Sequence, residues 1–202
     1  MVKNLTGQMV PAQKPRFMNA KEAARDQTRL RLAKLDPDWI LATSRTVQDR
    51  VIALPEFKKA AVVGCYISLP SEVQTGAIIA ACRKAGKKVC VPASRPKKKD
   101  YAMCWYNAGE TTIVGPWGIA EPRNREFASS EIDLMIVPCL AFDPHGRRLG
   151  HGGGHFDRLL AGLSSTNICL AFEVQKLTAA PYDEHDVDVD IVVTEKTVYR
   201  PA

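Results

Sequence analysis

The spacing of hydrophobic and polar positions predicts two helices ahead of the first strand. Asn19 is a suitable N-cap for a helix that continues to about Leu35. The dipeptide Asp36-Pro37 combines a capping side chain with proline at the first helical position, and hydrophobic residues then recur at helical spacing from Ile40 to Leu54. Two consecutive helices are therefore expected before the sheet begins.

The rest of the chain alternates short apolar runs with helical patterns. Residues 60–68 are apolar and β-branched, as expected of a strand buried on both faces, and residues 88–92 resemble them. Between them, Ser71 is expected to cap a helix over residues 72–85, which makes a βαβ unit. The central strand is predicted at residues 133–142. Further strands are predicted at residues 101–106, 111–114, 167–173 and 189–193. This order predicts a layered α/β/α fold with a largely parallel central sheet, Rossmann-like but without a dinucleotide fingerprint.

A glycine-rich segment follows the central strand at residues 147–157, which read RRLGHGGGHFD. Because glycine has no Cβ, successive backbone N–H groups can turn toward an anion, and the helix that follows offers the positive end of its dipole. Arg147 and Arg148 add permanent charge, and Asp157 could hold a divalent cation that bridges phosphate oxygens. The segment predicts a phosphate-binding loop. A flexible connection between strand and helix is the alternative.

Neither of the two standard nucleotide-binding motifs is present. G-x-x-x-x-G-K-[ST] is absent, and Gly150-x-Gly152 continues to His155 where G-x-G-x-x-G has its third glycine. Simple P-loop and dinucleotide-binding functions therefore lose support. No H-E-x-x-H spacing supports a zinc or manganese hydrolase. The four histidines lie in or beside the glycine loop or in the acidic run DEHDVDVD at residues 183–190: His145, His151, His155 and His185.

Length and composition fit one domain. The chain has 202 residues, 46% of them hydrophobic, so we expect an N-terminal arm at residues 1–18 and a single domain at residues 19–202. The longest nearly apolar run, at residues 134–142, is far short of the roughly 20 residues that cross a bilayer. The first 20 residues contain no apolar segment typical of a secretory signal. We expect a cytoplasmic protein that does not contact a membrane.

Cysteine usage and charge narrow the class of protein further. The six cysteines occur singly, without a C-x-x-C pair, which favours reduced side chains in the core over disulfides or zinc ligands. A net charge of +6 favours an anionic partner. Neither an RNP-like nor a helix-turn-helix pattern occurs, so nucleic acid is not the expected partner.

The segment at residues 137–160, VPCLAFDPHGRRLGHGGGHFDRLL, resembles the signature of the 5-formyltetrahydrofolate cyclo-ligase family, P-G-L-A-F-D-x-x-G-x-R-L-G-x-G-x-G-Y-Y-D. Other segments of that family agree in order and spacing, and together they cover about residues 19–195. They are KEAAR at residues 21–25, S-E-V-x-T at 71–75, W-G-I-x-E-P at 117–122 and E-H-D-x-x-x-D at 184–190.

The resemblance implies an ATP-dependent ligase that forms a carbon–nitrogen bond. In that family, ATP and 5-formyltetrahydrofolate react in the presence of Mg²⁺ to give 5,10-methenyltetrahydrofolate, ADP and phosphate. The formyl oxygen is phosphorylated first, which makes it a good leaving group before the ring closes. The implied cofactors are ATP and Mg²⁺, and the expected partner is 5-formyltetrahydrofolate, with or without a polyglutamate tail, bound by a monomer or weak dimer.

The resemblance also implies roles for individual residues. The catalytic residues would be Arg148 and His155. The nucleotide contacts would come from Lys21, Arg25, Arg148, Leu149, Gly150, His151, Gly152, Gly153, Gly154, His155 and Phe156. The folate contacts would come from Arg25, Ile67, Glu72, Trp117, His151, Gly152, Gly153, Gly154 and His155. The magnesium-linked carboxylates would be Asp157 and Asp186, with Asp183, Asp188 and Asp190 as alternatives to Asp186.

Several of these residues have a simpler interpretation. Lys21 and Arg25 could form an exposed helix face, Glu72 could favour the positive end of its helix, and Trp117 could pack in the core. The RPKKK run at residues 95–99 could be a solvated connection. We also consider that its lysines, Lys97, Lys98 and Lys99, attract a polyglutamate tail.

The chain departs from the family signature within the loop. His155-Phe156 stands where the family usually has Tyr-Tyr, and His151 and Gly153 stand where some members carry Lys or Arg. We hypothesise that a protonated His151 or His155 supplies part of the missing positive charge. The departures leave room for a paralogue with altered substrate or lost activity. The rival functions are a phosphate-ester isomerase or CoA-type transferase on a similar scaffold, or a basic nucleic-acid-binding protein.

Overall fold

The computed structural model describes residues 2–3, 9–10, 19–95, 97–98, 100–128 and 131–201, apart from the side chains of residues 2–3, 9–10 and Trp117. The helices are α1 (Ala20–Leu32), α2 (Pro37–Ala53), α3 (Pro55–Lys59), α4 (Gly76–Lys84) and α5 (His155–Leu160), with 3₁₀ turns at Pro116–Gly118 and Glu173–Gln175. The strands are β1 (Val2–Lys3), β2 (Met9–Val10), β3 (Val62–Gly64), β4 (Lys88–Arg95), β5 (Asp100–Trp105), β6 (Thr112–Val114), β7 (Ala120–Pro122), β8 (Leu134–Pro138), β9 (Ala141–Phe142), β10 (Arg148–Leu149), β11 (Thr166–Leu170), β12 (Ile191–Val193) and β13 (Val198–Tyr199). Most of the predicted N-terminal arm lies outside the described residues, within which β1 and β2 pair antiparallel.

Seven strands form the central sheet in the order β13-β12-β11-β8-β3-β4-β5. The five inner strands are parallel, and β13 and β5 run antiparallel along the two edges. Side chains alternate between the faces, so that Leu134 and Ile136 pack with α1 to α4, whereas Met135 and Val137 pack on the side of α5. Both faces are buried. This confirms the predicted layered fold with a largely parallel sheet.

The chain leaves the two middle strands in opposite directions. From β3 it passes through α4 on one face to β4, and from β8 it passes through α5 on the other face to β11. Because β3 and β8 are neighbours, the connections diverge between them and open a crevice beyond their carboxyl ends. This topological switch point is where an open α/β sheet binds its ligands.

Local capping explains why α1 and α2 begin where the sequence predicted. The Asn19 side chain accepts hydrogen bonds from the backbone N–H groups of Lys21 and Glu22, and Asp36 caps α2 in the same way, with Pro37 following it. All six cysteines are free and buried, as expected. Among the described residues, no helix is both long enough and apolar enough to cross a membrane.

Several predicted elements were wrong in their bounds. The strand expected at residues 60–68 is only Val62–Gly64, and the one expected at residues 167–173 is Thr166–Leu170. The helix expected from residue 72 begins only at Gly76, because the Glu72 carboxylate accepts from the Leu69 N–H at 2.8 Å and the Gln74 amide donates to the Leu69 carbonyl at 2.9 Å. These local bonds hold a turn in place of a helix. The single strand expected at residues 133–142 is two strands, since β9 leaves the sheet to pair with β10.

Candidate active site

A buried hairpin positions the start of the glycine loop at the carboxyl end of β8. The Asp143 carboxylate, which is completely buried, accepts from the backbone N–H groups of His145 and Ala180, both at 2.9 Å. These bonds connect the turn between β9 and β10 to the chain at Ala180. Arg148, on β10, is thereby carried beneath the loop on rigid backbone and is only 4% exposed.

Arg148 combines an ion pair with an unused hydrogen-bond donor. Its Nη2 donates to Asp157 Oδ1 at 2.8 Å, and the same oxygen accepts from the Val187 N–H at 3.3 Å. Its Nε is buried and has no partner among the described residues. Because a buried N–H without a partner is costly, this donor is suited to an oxygen of a bound anion.

The loop backbone requires glycine at two positions. Gly152 has φ +114° and Gly154 has φ +61°, conformations that side chains with a Cβ rarely adopt. At Gly153 the constraint is contact, because a Cβ there would lie 2.6 Å from Nε2 of His155. The helix that follows, α5, has only six residues, so the positive charge near the loop comes mainly from side chains rather than from a helix dipole.

Helix α1 supplies two of those side chains. Arg25 Nε donates to the Gly150 carbonyl at 2.9 Å, and its guanidinium lies beside Gly152. Lys21 Nζ lies 2.5 Å from Asp186 and 2.6 Å from Asp183, and its side chain is only 12% exposed. The structure therefore brings Lys21 and Arg25 to the loop and the acidic run, rather than leaving them on an exposed helix face.

The predicted metal carboxylates, Asp157 and Asp186, line one groove beside Gly154. Burial would raise the pKa of Asp186, but the hydrogen bond from Lys21 lowers it below its usual value. Burial would lower the pKa of Lys21, but its bonds to the two aspartates raise it. Both members of the pair are therefore held in their charged forms. Of the neighbouring acids, Asp190 is used elsewhere, since it accepts from the Asn167 N–H at 2.7 Å.

The two loop histidines differ in their surroundings. Burial lowers the pKa of His155, and the charge of Arg158 lowers it further. Arg158 Nη2 lies 3.0 Å from His155 Nδ1 and can only donate, so this contact requires the ring nitrogen to be unprotonated. His151 Nε2 instead lies 3.6 Å from Glu72 Oε1. The geometry therefore argues against His155 as a carrier of positive charge and places a carboxylate beside His151.

Arg147, which the sequence placed beside the loop, has a different position. It is exposed, and its guanidinium lies 5.1 Å from the centre of the Tyr182 ring. Only Arg148 of the two arginines lines the loop cavity.

A second, mostly apolar cavity adjoins the loop cavity. Ile67 and Glu72, two of the residues expected to contact the folate, line it from the segment after β3. It shares a wall with the loop cavity, made of Ile119, Pro138 and Phe156. After the ligands that the sequence resemblance implies for them, we call this cavity the folate side and the glycine loop with Arg148, α1 and the acidic run the phosphate side. The predicted Trp117 side chain lies outside the described part of the structure.

Comparison with known proteins decides the family. The model of the 5-formyltetrahydrofolate cyclo-ligase family matches residues 17–195. A probable 5-formyltetrahydrofolate cyclo-ligase of Schizosaccharomyces pombe is 31% identical over 84% of this chain and 92% of the relative. The mouse 5-formyltetrahydrofolate cyclo-ligase is 29% identical over 88% and 94%. The NMR structure of 5,10-methenyltetrahydrofolate synthetase from Aquifex aeolicus superposes with a TM-score of 0.81 at 30% identity, covering 90% of this chain and 93% of that one.

The chain belongs to the 5-formyltetrahydrofolate cyclo-ligase family. This confirms the family that the sequence resembled and the enzyme class that the resemblance implied.

Several lining residues of this cyclo-ligase family member were not predicted from the sequence, and Ile119 and Tyr101 are two of them. Ile119 lies inside the W-G-I-x-E-P segment, so its neighbour Trp117 was a signal for it. Tyr101 reaches the loop cavity from β5, and its ring packs edge-on against His155, with ring centres 4.9 Å apart. No local pattern identifies Tyr101, because strand pairing alone brings it to the loop.

Proposed function

We propose that this protein converts 5-formyltetrahydrofolate to 5,10-methenyltetrahydrofolate, consuming ATP and releasing ADP and phosphate. The observation that carries the proposal is the buried Arg148, with its unpaired Nε, beneath a glycine loop at the switch point of a sheet whose chain belongs to this family. The phosphate side and the folate side share a wall, so a phosphoryl donor and a folate can lie next to each other.

The phosphate side would hold the ATP phosphates. Arg148 offers its Nε, and Arg25 and Lys21 stand at the same loop and acidic run. Backbone N–H groups of residues 150–154 complete the cradle. We propose that Arg148 neutralises charge on the transferred phosphoryl group. In this proposal His155, held neutral by burial and by Arg158, positions that group as a hydrogen-bonding side chain rather than as a cation.

Asp157 and Asp186 fit a magnesium ion that is shared with bound phosphates. Among the described residues, no three His, Cys, Asp or Glu side chains gather as a complete metal site. Mg²⁺ commonly uses only one or two carboxylates and completes its shell with phosphate oxygens and water, which two aspartates on one groove satisfy. Bound there, the ion would neutralise phosphate charge. It would compete with Arg148 and Lys21, the present partners of the two aspartates.

The folate side would hold the pterin. Ile67, Ile119 and Phe156 provide apolar contact area, and Glu72 provides one carboxylate that is 11% exposed. Glu72 Oε2 is bound to the Leu69 N–H, which fixes the side chain in place. Oε1 faces His151 and remains available to accept a hydrogen bond from a ring N–H.

The proposed reaction has two steps. The formyl oxygen attacks the terminal phosphorus of ATP, and ADP leaves. The neighbouring amine nitrogen then attacks the formyl carbon, and the carbon–oxygen bond breaks as phosphate departs and takes up the amine proton. Both steps depend on orientation and on neutralising phosphate charge, which is what the side chains around the loop can supply.

We further propose that the connection between β4 and β5 attracts a polyglutamate tail. Lys97 and Lys98 are exposed there, at the same sheet edge as the cavities, while Lys99 lies outside the described residues. Changing all three to alanine should raise KM for polyglutamylated substrate more than for the monoglutamate. Equal effects on both substrates would reject this role.

The direct test is to mix the purified protein with 5-formyltetrahydrofolate and MgATP and to follow the near-ultraviolet absorbance of methenyltetrahydrofolate. Product formation that requires ATP supports the proposal. The matched control is the same reaction with ATP omitted. Tight binding of substrate and nucleotide without turnover would instead indicate a paralogue that has lost the activity, and no binding of either would reject the assignment.

A further inference from the structure

Tyr101 forms a wall of the loop cavity that the site described above leaves without a role. It is the second residue of β5, and it pairs in register with Ser94 near the end of β4, so it lies at the carboxyl edge of the sheet. Its ring meets the His155 imidazole at 65°. Tyr101 therefore limits where His155 can lie.

Beside this wall is a carboxylate with no exposed surface. Glu121 accepts from Ser94 Oγ at 2.9 Å and from Arg125 Nη2 at 2.7 Å, while its Oε1 is buried and has no partner among the described residues. Gly115 packs so closely that a Cβ there would lie 2.3 Å from the Glu121 carboxyl carbon. An apolar side chain would fill this space at lower cost, so charge at this position calls for an explanation.

The sheet register links the two residues. Glu121 binds Ser94, and Ser94 is the register partner of Tyr101. The Tyr101 hydroxyl lies 3.5 Å from the Pro116 carbonyl, the long limit of a hydrogen bond. Burial raises the pKa of Tyr101, and the negative charge of Glu121 raises it further, so the carboxylate acts on this hydroxyl.

We propose that Tyr101 is a positioning residue of the active site: its hydroxyl turns from the Pro116 carbonyl to donate to the unpartnered Oε1 of the buried Glu121, so that the ring fixes His155 against the glycine loop. This rests on the proposed function. Ser94 and Arg125 fix the carboxylate, the carboxylate orients Tyr101, and Tyr101 sets the face of the cavity opposite Arg148 and Phe156.

The test compares Tyr101→Phe, Glu121→Gln and the double variant with the unchanged protein. Tyr101→Phe removes only the hydroxyl, and Glu121→Gln removes only the charge. Each single change should lower kcat about tenfold, the effect of losing one hydrogen bond to a charged group, while KM for MgATP stays constant. The double variant should fall no more than about twofold below either single variant, because both changes break one link.

Matched controls are Tyr106→Phe and Glu110→Gln. Tyr106 follows the far end of β5, under the Arg83 guanidinium, and Glu110 accepts backbone N–H groups near the same hairpin. Neither residue lines the loop cavity or the folate-side cavity, so both variants should keep kcat within about twofold. Losses that multiply in the double variant, or full kcat in Tyr101→Phe, would overturn the proposal.

If the unchanged protein forms no methenyltetrahydrofolate, the proposed function is wrong, but this result does not test the interaction between Tyr101 and Glu121. Urea unfolding of the unchanged protein, the two single variants and the double variant then tests that interaction. Free energies of unfolding that are not additive support a Tyr101–Glu121 interaction, and additive ones refute it.

Discussion

The phosphate side and the folate side of the crevice are built from different interactions. On the phosphate side, Lys21 and Arg148 are paired with carboxylates and Arg25 with a loop carbonyl. On the folate side the walls are mainly apolar, and Glu72 is the carboxylate that the cavity presents. In the proposed function, one half therefore meets its ligand by exchanging ion pairs, and the other by covering apolar area.

This difference predicts how each half responds to substitution. Buried charge and fixed loop geometry act on the reacting atoms, so single changes there cost one to two powers of ten in rate. An apolar wall contributes in proportion to the area it covers, which is about 0.8 kcal/mol for each methylene group. Substitutions on the phosphate side should therefore lower kcat, whereas substitutions on the folate side should mainly raise KM.

The largest effect is expected from Arg148→Lys. Lysine keeps the charge but loses the planar fork, so the bond to Asp157 and the Nε donor cannot both be retained. We expect kcat/KM to fall about a hundredfold, near the upper end of what the loss of one hydrogen bond to a charged group costs. Steady-state kinetics of methenyltetrahydrofolate formation measure this.

The neighbouring Arg147→Lys is the matched control for that experiment. Arg147 is exposed against Tyr182, so kcat/KM should stay within about twofold. If the two lysine variants lost activity equally, the assignment of phosphate binding to Arg148 would be wrong.

A smaller loss is expected from Gly153→Ala. Its new Cβ would meet His155 Nε2 at 2.6 Å and displace the imidazole, while the Gly162→Ala control meets nothing within 4 Å. We expect kcat to fall about tenfold, because a shift of the order of 1 Å in an active-site group is costly. Thermal unfolding should distinguish this from a folding defect, since both variants should melt within a few degrees of the unchanged protein. Normal kcat in Gly153→Ala would show that His155 tolerates displacement.

Features that depend on local sequence patterns could be predicted from the sequence. The caps of α1 and α2 and the order of glycines in the loop are local patterns, and both helix starts were correct. The start of α4 was predicted wrongly, because Glu72 and Gln74 bond back to Leu69 and compete with the helix.

Long-range packing limited the rest of the prediction. The family motifs named Ile67 and Glu72, but Tyr101 reaches the cavity only through the pairing of β4 with β5. Glu121 belongs to the W-G-I-x-E-P segment, but that motif gave no indication that its carboxylate is buried against Ser94. Charged loop residues were thus easier to predict than the walls around them.

A partly buried carboxylate next to α1, the helix that carries Lys21 and Arg25, gives a pH-dependent test of stability. This helix packs near the 3₁₀ turn that begins at Glu173, whose carboxylate accepts from Tyr199 at 2.6 Å and from Thr194 at 2.8 Å. Burial would raise the pKa of Glu173, but these bonds and the charge of Lys176 lower it below the ordinary 4.5. Glu173 therefore contributes stability that is present above pH 4.5 and is lost as the pH falls through its lowered pKa.

Glu173→Gln should lower the free energy of unfolding by about 1 kcal/mol at neutral pH. The difference from the unchanged protein should shrink steadily in acid. Urea titrations between pH 3 and pH 7 (roughly the span of carboxylate ionisation) measure it, with the exposed Glu131→Gln as a control that should show little change. A difference that stayed constant with pH would mean that shape, not charge, gives Glu173 its role.

The smallest effect is expected on the folate side, from Ile119→Val. Ile119 lines both cavities, and removing one methylene group from it should raise KM for 5-formyltetrahydrofolate about fourfold while leaving kcat and KM for MgATP unchanged. Ile113→Val, on β6 of the same hairpin but outside both cavities, should change neither KM. A change confined to KM for MgATP would instead indicate that Ile119 contacts the nucleotide. The shared wall would then have to be assigned to the phosphate side.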